Sequence, residues 1–404
     1  MTRSSPAPAH GLRVTGAAWS TALGTGLDEV WARLIAGRTG DVEVPADRTL
    51  RSDRVAALPP DAVGGAYAET GRTAGDLIDR QSAVTVATGL RALAAAGLGL
   101  AGRSADVLVV LGTSLGAHAD APQDSLYAWA RETARLLGSG REPVALSTAC
   151  SSGSDAIATA AALIRAGVAA RCLVGAVDLV TPGKRYGHSR LGTMSCAEPR
   201  SFDQDRDGMM LGEACGFLVL ESAEAAAERS APCLGLLTGW GASNDACGPT
   251  APDASGASAA LALRQALDRA ARTPADVAVV STHGTGTTLN DEAEAAALAR
   301  VWPPDPAGGA PGRPVAFATK GALGHSLGAT GIVEAITVLL ALRHHEVPPV
   351  PHLKRVMDGF PLPLPVAEAL PVGAGCGVSQ TLGFGGFNTC LLFESAPAAE
   401  GVRS

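Results

Sequence analysis

Apolar positions in this chain fall into two recurring kinds of run. Short continuous runs such as "LRVTGAAWS" (12–20), "ADVLVVLGTS" (105–114), "REPVALSTAC" (141–150) and "RCLVGAVDL" (171–179) have the length of buried strands. Between them, "GLDEVWARLIAG" (26–37) and "SAVTVATGLRALAAAGL" (82–98) carry apolar residues at the i, i+3, i+4 period of a helix. The rhythm returns in the second half. "CGFLVLES" (215–222), "CLGLLTGWGAS" (233–243), "VAVVSTHGTGT" (277–287) and "PVAFATK" (314–320) read as strands, the last two running into loops. "ASGASAALALRQALDRA" (254–270), "DEAEAAALARVW" (291–302) and "GATGIVEAITVLLALRH" (328–344) read as helices. "GAGCGVSQTLGFGGFNTCLLFES" (373–395) closes the pattern with two strands around a glycine turn, and "VWPPDPAGGAPGRP" (301–314) is the clearest surface loop. Strands that are apolar throughout, alternating with helices, predict an α/β protein with a covered sheet, and the repeated succession points to an ancestral duplication.

Composition narrows what such a fold serves. At 47% hydrophobic and 18% charged over 404 residues, the chain has ample material for a large core. A net charge of −7, with no run of five or more basic residues, argues against nucleic acid as a partner. The opening "MTRSSPAPAHGLRVTGAAWS" lacks the apolar core of a signal peptide, and no later stretch reads as the roughly 18 apolar residues of a membrane span. The cysteines at 150, 172, 196, 215, 233, 247, 376 and 390 contain no C-x-x-C pair. Neither a disulfide framework nor a zinc site is expected, and a reducing cytoplasm suits them.

Candidate chemistry gathers where strands end. In "ALSTACSSGSDAIATAAALIRAG" (145–167) a strand runs into a helix through small residues, which puts Cys150 at the helix N-terminus. Unpaired N–H groups and the helix dipole there favour an anion and lower a thiol's pKa, so Cys150 is a candidate nucleophile. It reads equally as a small buried hydrophobe. His283 lies in "STHGTGTTLNDEAE", Lys320 and His325 lie in "TKGALGHSLGATG", and "TLGFGGFN" is a glycine turn able to bring backbone N–H groups to a ligand. Each alone has a structural explanation: a loop hydrogen bond, a solvated charge, a hairpin. "GTGTTLN" lacks the order of a P-loop. Together, one thiol, two imidazoles, an ammonium and a glycine turn at strand ends suit acyl transfer from a thioester. Two imidazole N–H donors fit a developing enolate better than they fit hydrolysis.

At these residues the chain resembles the β-ketoacyl synthase family, the condensing enzymes with the thiolase fold. The resemblance runs from "LRVTGAAWSTALG" to "GFGGFNTCLLFE", through "STACSSGSDAI", "PRSFDQDRDGMMLGEACGFLVLE", "STHGTGTTLNDEAEAAAL" and "TKGALGHSLGATGIVEAI", in the family's order and spacing. It implies an α/β, thiolase-like fold with two similar βαβαβ-type halves, residues 1–225 carrying the cysteine and 226–404 both histidines, packed as a five-layer αβαβα core. It further implies Cys150 as acyl acceptor, His283 and His325 as the paired histidines, and Lys320 as the family's lysine with Glu294 as its carboxylate partner. Glu334 matches the acid of the following helix. Phe384 is implied as the gate, its N–H forming the oxyanion hole with that of Cys150. Thr285 and Thr287 would hold a phosphopantetheine arm, and Thr250, Gly385 and Phe387 would meet substrate. For Glu334 and Thr250, a buried polar residue satisfied by its neighbours is the competing reading.

The implied reaction is a decarboxylative Claisen condensation in polyketide or specialised fatty acid synthesis. It needs no metal or other cofactor, the substrates riding on the phosphopantetheine of an acyl carrier protein. A homodimer, or a heterodimer with a second ketosynthase-like subunit, is the expected assembly, in the cytoplasm. Acyl transfer to an alcohol or amine and a non-catalytic chain-length-factor-like role are the alternatives; the retained histidines weigh against the first and Cys150 against the second. Three departures stand out. The segment 117–149 is shorter than usual where relatives form the far acyl pocket and dimer interface. Phe387 replaces a small or polar residue, and Asp155 enters the helix after the nucleophile, where it reads as a solvated residue rather than a substrate contact.

Overall fold

The computed structural model describes residues 11–44, 47, 49–99, 104–120, 125–303 and 313–396. The centre of the loop expected over 301–314, and residues 121–124 of the shortened segment, therefore lie outside the described residues. Ten strands form one sheet: β1 (Leu12–Ser20), β2 (Leu108–Gly112), β3 (Val144–Leu146), β4 (Arg171–Asp178), β5 (Ala214–Glu221), β6 (Gly235–Asn244), β7 (Val277–Ser281), β8 (Val315–Phe317), β9 (Cys376–Gly383) and β10 (Phe387–Ser395). Their order is β8-β7-β9-β10-β6-β1-β5-β4-β2-β3.

That order carries an internal symmetry. Outward from the centre it reads β1, β5, β4, β2, β3 on one side and β6, β10, β9, β7, β8 on the other. Directions repeat as well: β2 is parallel to β3 and β4, and β7 to β8 and β9, while the remaining neighbours are antiparallel. The halves meet where Leu12, Arg13 and Val14 of β1 pair with Leu237, Leu236 and Gly235 of β6.

Six helices matter for the site: α1 (Leu77–Ala95), α2 (Ser152–Arg165), α3 (Pro182–Arg190), α4 (Ala257–Arg269), α5 (Thr288–Val301) and α6 (Thr330–His344). Helices α2 and α6 pack on each other and on strands of both halves, α1 covers β1, β4 and β5, and α4, backed by α5, covers β6 and β10. The result is helix, sheet, helix, sheet, helix. Period-two alternation sorts side chains between these layers. On β4, Cys172, Val174 and Ala176 join the central core with α2 and α6, whereas Leu173 and Val177 face the α1 side. On β10, Leu391 and Phe393 point to the central core, and Cys390 and Leu392 to the α4 side.

Enclosure on every side explains why α6 is apolar all round. Contrary to the sequence reading, the stretch Leu327–His344 does have the length and composition of a membrane span; it is buried as the central helix. The two central helices cross backbone to backbone. A Cβ at Gly153 would lie 2.8 Å from Ile332 N, and one at Gly331 2.6 Å from Ser154 N. Only glycine at both positions lets the N-terminal ends of α2 and α6 meet, and the reactive residues precede those ends.

Candidate active site

The turn from β3 into α2 holds Cys150 in a short 3-10 turn, Ala149–Ser151. Ala149 is held at φ +51°, in the left-handed region, and sets the thiol between the helix start and the β9–β10 turn. Ser152 Oγ accepts from Thr148 N (2.9 Å) and donates to Ala149 O (2.7 Å), and Ser151 Oγ donates to Phe387 O (2.8 Å). The backbone N–H of Phe384 points at the Cys150 sulfur. Burial nonetheless pushes the thiol up to about 11, against the Phe384 N–H and the Lys320 ammonium. The helix-terminus argument expected a lowered thiol; in this enclosed site desolvation outweighs the dipole.

His283 follows β7 and His325 precedes α6. Their rings meet edge to face with centroids 5.3 Å apart, and ligand atoms of Cys150, His283 and His325 lie within 4.8 Å of one another. The hydrogen bonds assign both tautomers. Lys320 Nζ donates to Glu334, to the carbonyl of His283 and, at 3.3 Å, to His283 Nδ1, which uses all three ammonium hydrogens. His283 Nδ1 is therefore an acceptor. His325 Nδ1 likewise accepts from Leu327 N (3.2 Å). Burial first, then Lys320, holds both imidazoles well below the usual range, so each is neutral with its proton on Nε2.

These tautomers decide what the cluster does. A thiol and two imidazoles can hold a soft metal ion, but metal-bound imidazoles normally donate from the remote nitrogen. Here both remote nitrogens accept, so metal on Nε2 would demand imidazolates. The set is built to present two N–H donors beside a sulfur nucleophile, in a cavity of about 280 Å³ also lined by Thr250, Thr285, Thr287 and Phe384.

Two family models match over this framework: β-ketoacyl synthase, N-terminal domain, over residues 11–226, and β-ketoacyl synthase, C-terminal domain, over 234–354. The chain belongs to the β-ketoacyl synthase family. It is 37% identical over 261 residues to a 3-oxoacyl-[acyl-carrier-protein] synthase homolog of Saccharomyces cerevisiae, covering 62% of this chain and 58% of that one. It is 34% identical over 254 residues to 3-oxoacyl-[acyl-carrier-protein] synthase 2 of Mycobacterium tuberculosis, covering 61% and 59%. The matches thus span about three-fifths of the length of these curated relatives. Among solved structures, the ishigamide ketosynthase/chain length factor superposes with a TM-score of 0.85 at 27% identity, over 96% of this chain and 100% of that one.

Three expectations from the sequence need correction, two of them carried over from the β-ketoacyl synthase family. Glu294 does not pair with Lys320; it accepts from the backbone N–H groups of His283 (2.6 Å) and Gly284 (2.7 Å), and the lysine's partner is Glu334. Glu294, in the second turn of α5, reaches the loop backbone, whereas α6 supplies the carboxylate that meets the ammonium. Gly385 and Phe387 do not line the cavity. Gly385, at φ +82°, donates to Pro249 O (2.8 Å), and the half-exposed Phe387 ring covers the turn. Asp155 is neither solvated nor beside the cavity: half-buried, it accepts from Thr148 (2.6 Å) and Thr389, tying the nucleophile turn to β10.

Two neighbours escaped the sequence reading. His188 on α3 stacks on Phe384 with ring centroids 6.0 Å apart, and buried Lys184 on the same helix pairs with Asp178 at the end of β4. Thr181 followed by Pro182 is the N-cap and first-turn pair that marks this polar helix, and Thr181 Oγ1 accepts from Lys184 N (3.3 Å). Nothing in the local sequence places His188 against Phe384.

Proposed function

We propose that this chain is a β-ketoacyl-[acyl carrier protein] synthase that joins a Cys150-bound acyl group to a malonyl-type extender, in polyketide or specialised fatty acid synthesis. The observation that carries this reading is the meeting of the Cys150 thiol with two imidazoles whose Nε2 atoms both bear protons. In the first half-reaction the Cys150 Sγ–acyl bond forms as the carrier's thioester C–S bond breaks, and the proton from Cys150 ends on the carrier thiol. The N–H groups of Phe384 and Cys150 hold the oxyanion. In the second, the extender's thioester carbonyl takes hydrogen bonds from His283 and His325, which stabilise the enolate left when CO2 departs. The enolate carbon attacks the acyl carbonyl, a C–C bond forms, and Cys150 is released as thiolate.

Lys320, Glu334 and Glu294 act as positioning residues, the first two through His283 Nδ1 and the third through the loop backbone. Thr250, Thr285 and Thr287 line the route of a phosphopantetheine arm, which makes an acyl carrier protein the partner and leaves no further cofactor in the scheme. The same reading assigns 1–225 and 226–404 as the two thiolase-like halves, pairing with a second copy or a ketosynthase-like subunit, and work in the cytoplasm, where eight free cysteines are at home. Intact-protein mass spectrometry with a panel of acyl-carrier thioesters tests it. We expect an acyl adduct that Cys150→Ala abolishes, followed by a β-ketoacyl product on adding malonyl carrier; adduct without condensation leaves simple acyl transfer.

A further inference from the structure

Cys150 stands between two cavities. The first holds the threonines and both catalytic-site histidines; the second, of about 360 Å³, lies on the other side of Phe384 against Gly183, Lys184 and Gly187. Cys150, His188, Leu191 and Phe384 line both, so the stacked His188–Phe384 pair forms part of the partition. The wall of the second cavity is unusual for an alkyl binder. Thr193 Oγ1 donates its hydrogen to His188 O (3.2 Å), so at 3.0 Å it accepts from His188 Nδ1, and the ring's Nε2, which has no hydrogen-bond partner among the described residues, is an acceptor. Beside it, the Lys184 ammonium donates to Asp178 and to Leu179 O (2.9 Å), leaving one of its three hydrogens for another acceptor.

We propose that His188 makes this protein selective for a short acyl group bearing a hydroxyl a few bonds from the thioester, seated in the cavity that His188, Lys184 and Gly187 line, where the hydroxyl donates to His188 Nε2. A plain alkyl chain there would strip water from the imidazole nitrogen and return no hydrogen bond. A hydroxylated chain replaces the water. Burial keeps the imidazole neutral, pushed down to about 4, so the contact is a neutral hydrogen bond that persists across the physiological range. Gly187 sets the space: a Cβ built there meets no atom within 4 Å, so a larger side chain at this position grows into the cavity rather than into the core.

This selectivity rests on the ketosynthase reading, and one experiment separates the two. Rates of Cys150 acylation are measured by intact mass with acetyl, butanoyl and 3-hydroxybutanoyl carrier thioesters on the wild type and on His188→Phe, His188→Gln and Gly187→Leu. We expect the ratio of 3-hydroxybutanoyl to butanoyl loading to fall at least about fivefold in His188→Phe, the loss of one hydrogen bond, and to be largely kept in His188→Gln, whose side-chain oxygen also accepts. Gly187→Leu slows both four-carbon groups relative to acetyl. An unchanged ratio in His188→Phe, or loading of butanoyl ahead of 3-hydroxybutanoyl by the wild type, overturns the selectivity alone. Failure of every thioester to load overturns the ketosynthase reading and the selectivity with it.

Discussion

Lys320 and His283 are joined twice: the ammonium donates both to the ring Nδ1, at 3.3 Å, and to the carbonyl oxygen of the same residue. One side chain thereby sets the ring's tautomer and the height of its loop, and a third hydrogen reaches Glu334. Lys320→Met removes the donor that keeps the proton on Nε2 and strands a buried carboxylate. We expect a loss of about 3–5 kcal/mol in unfolding stability by denaturant titration, because one partner of a buried pair is left alone. Lys320→Met combined with Glu334→Gln should recover much of that stability without recovering condensation; recovery of both would mean that the lysine acts only as a structural counter-ion.

Both histidines are held neutral well below their ordinary range, by burial first and then by Lys320. Enolate stabilisation needs neutral N–H donors in a fixed tautomer, so decarboxylation of a malonyl carrier should stay level between pH 8 and pH 6 as far as these rings are concerned. An acid limb in the rate profile with a midpoint near 6.5 would contradict the tautomer assignment.

Glu294 titrates in the opposite sense. Burial raises its carboxyl from an ordinary 4.5 to about 8, against the N–H groups of Gly284 and His283. Between those values the folded protein keeps a proton that the unfolded chain has lost, so its contribution to stability is complete below about pH 4.5 and declines as pH rises toward 8. The slope is up to about 1.4 kcal/mol per pH unit. Thermal unfolding from pH 5 to pH 8.5 should show a shallower decline in Glu294→Gln than in the wild type, and parallel curves would count against it.

Asp155 ties the nucleophile turn to β10 through Thr148 and Thr389. Asp155→Ala should cost about 1–3 kcal/mol, since the buried Thr389 hydroxyl and the partly buried Thr148 hydroxyl lose their acceptor. The rate of Cys150 acylation should drop with it while KM for the carrier thioester holds, because the residue is remote from the cavity; a change confined to KM would make it a substrate contact after all.

Gly153 tests the helix crossing. In an exposed helix, glycine to alanine gains about 1 kcal/mol. Here the added methyl meets Ile332 N at 2.8 Å and Gly328 O at 3.0 Å, so Gly153→Ala should instead destabilise by about 1–3 kcal/mol and lower acylation, as seen by calorimetry and adduct formation.

The chain alone determined the alternation of strands and helices, the duplicated rhythm, and the approximate place of Cys150, His283, Lys320 and His325, because each depends on local periodicity or on residues clustered at strand ends. Even the polar helix α3 left a trace in Thr181 and Pro182. Tertiary structure decided which charges pair and which protons sit where. Glu294 and Glu334 are both buried acids within reach of one loop, and only the packing of α6 behind Lys320 selects Glu334. The raised thiol of Cys150 and the stacking of His188 on Phe384 arise from groups far apart along the chain brought into one enclosed space. Desolvation and pairing act through distance in space, and sequence order does not encode that distance.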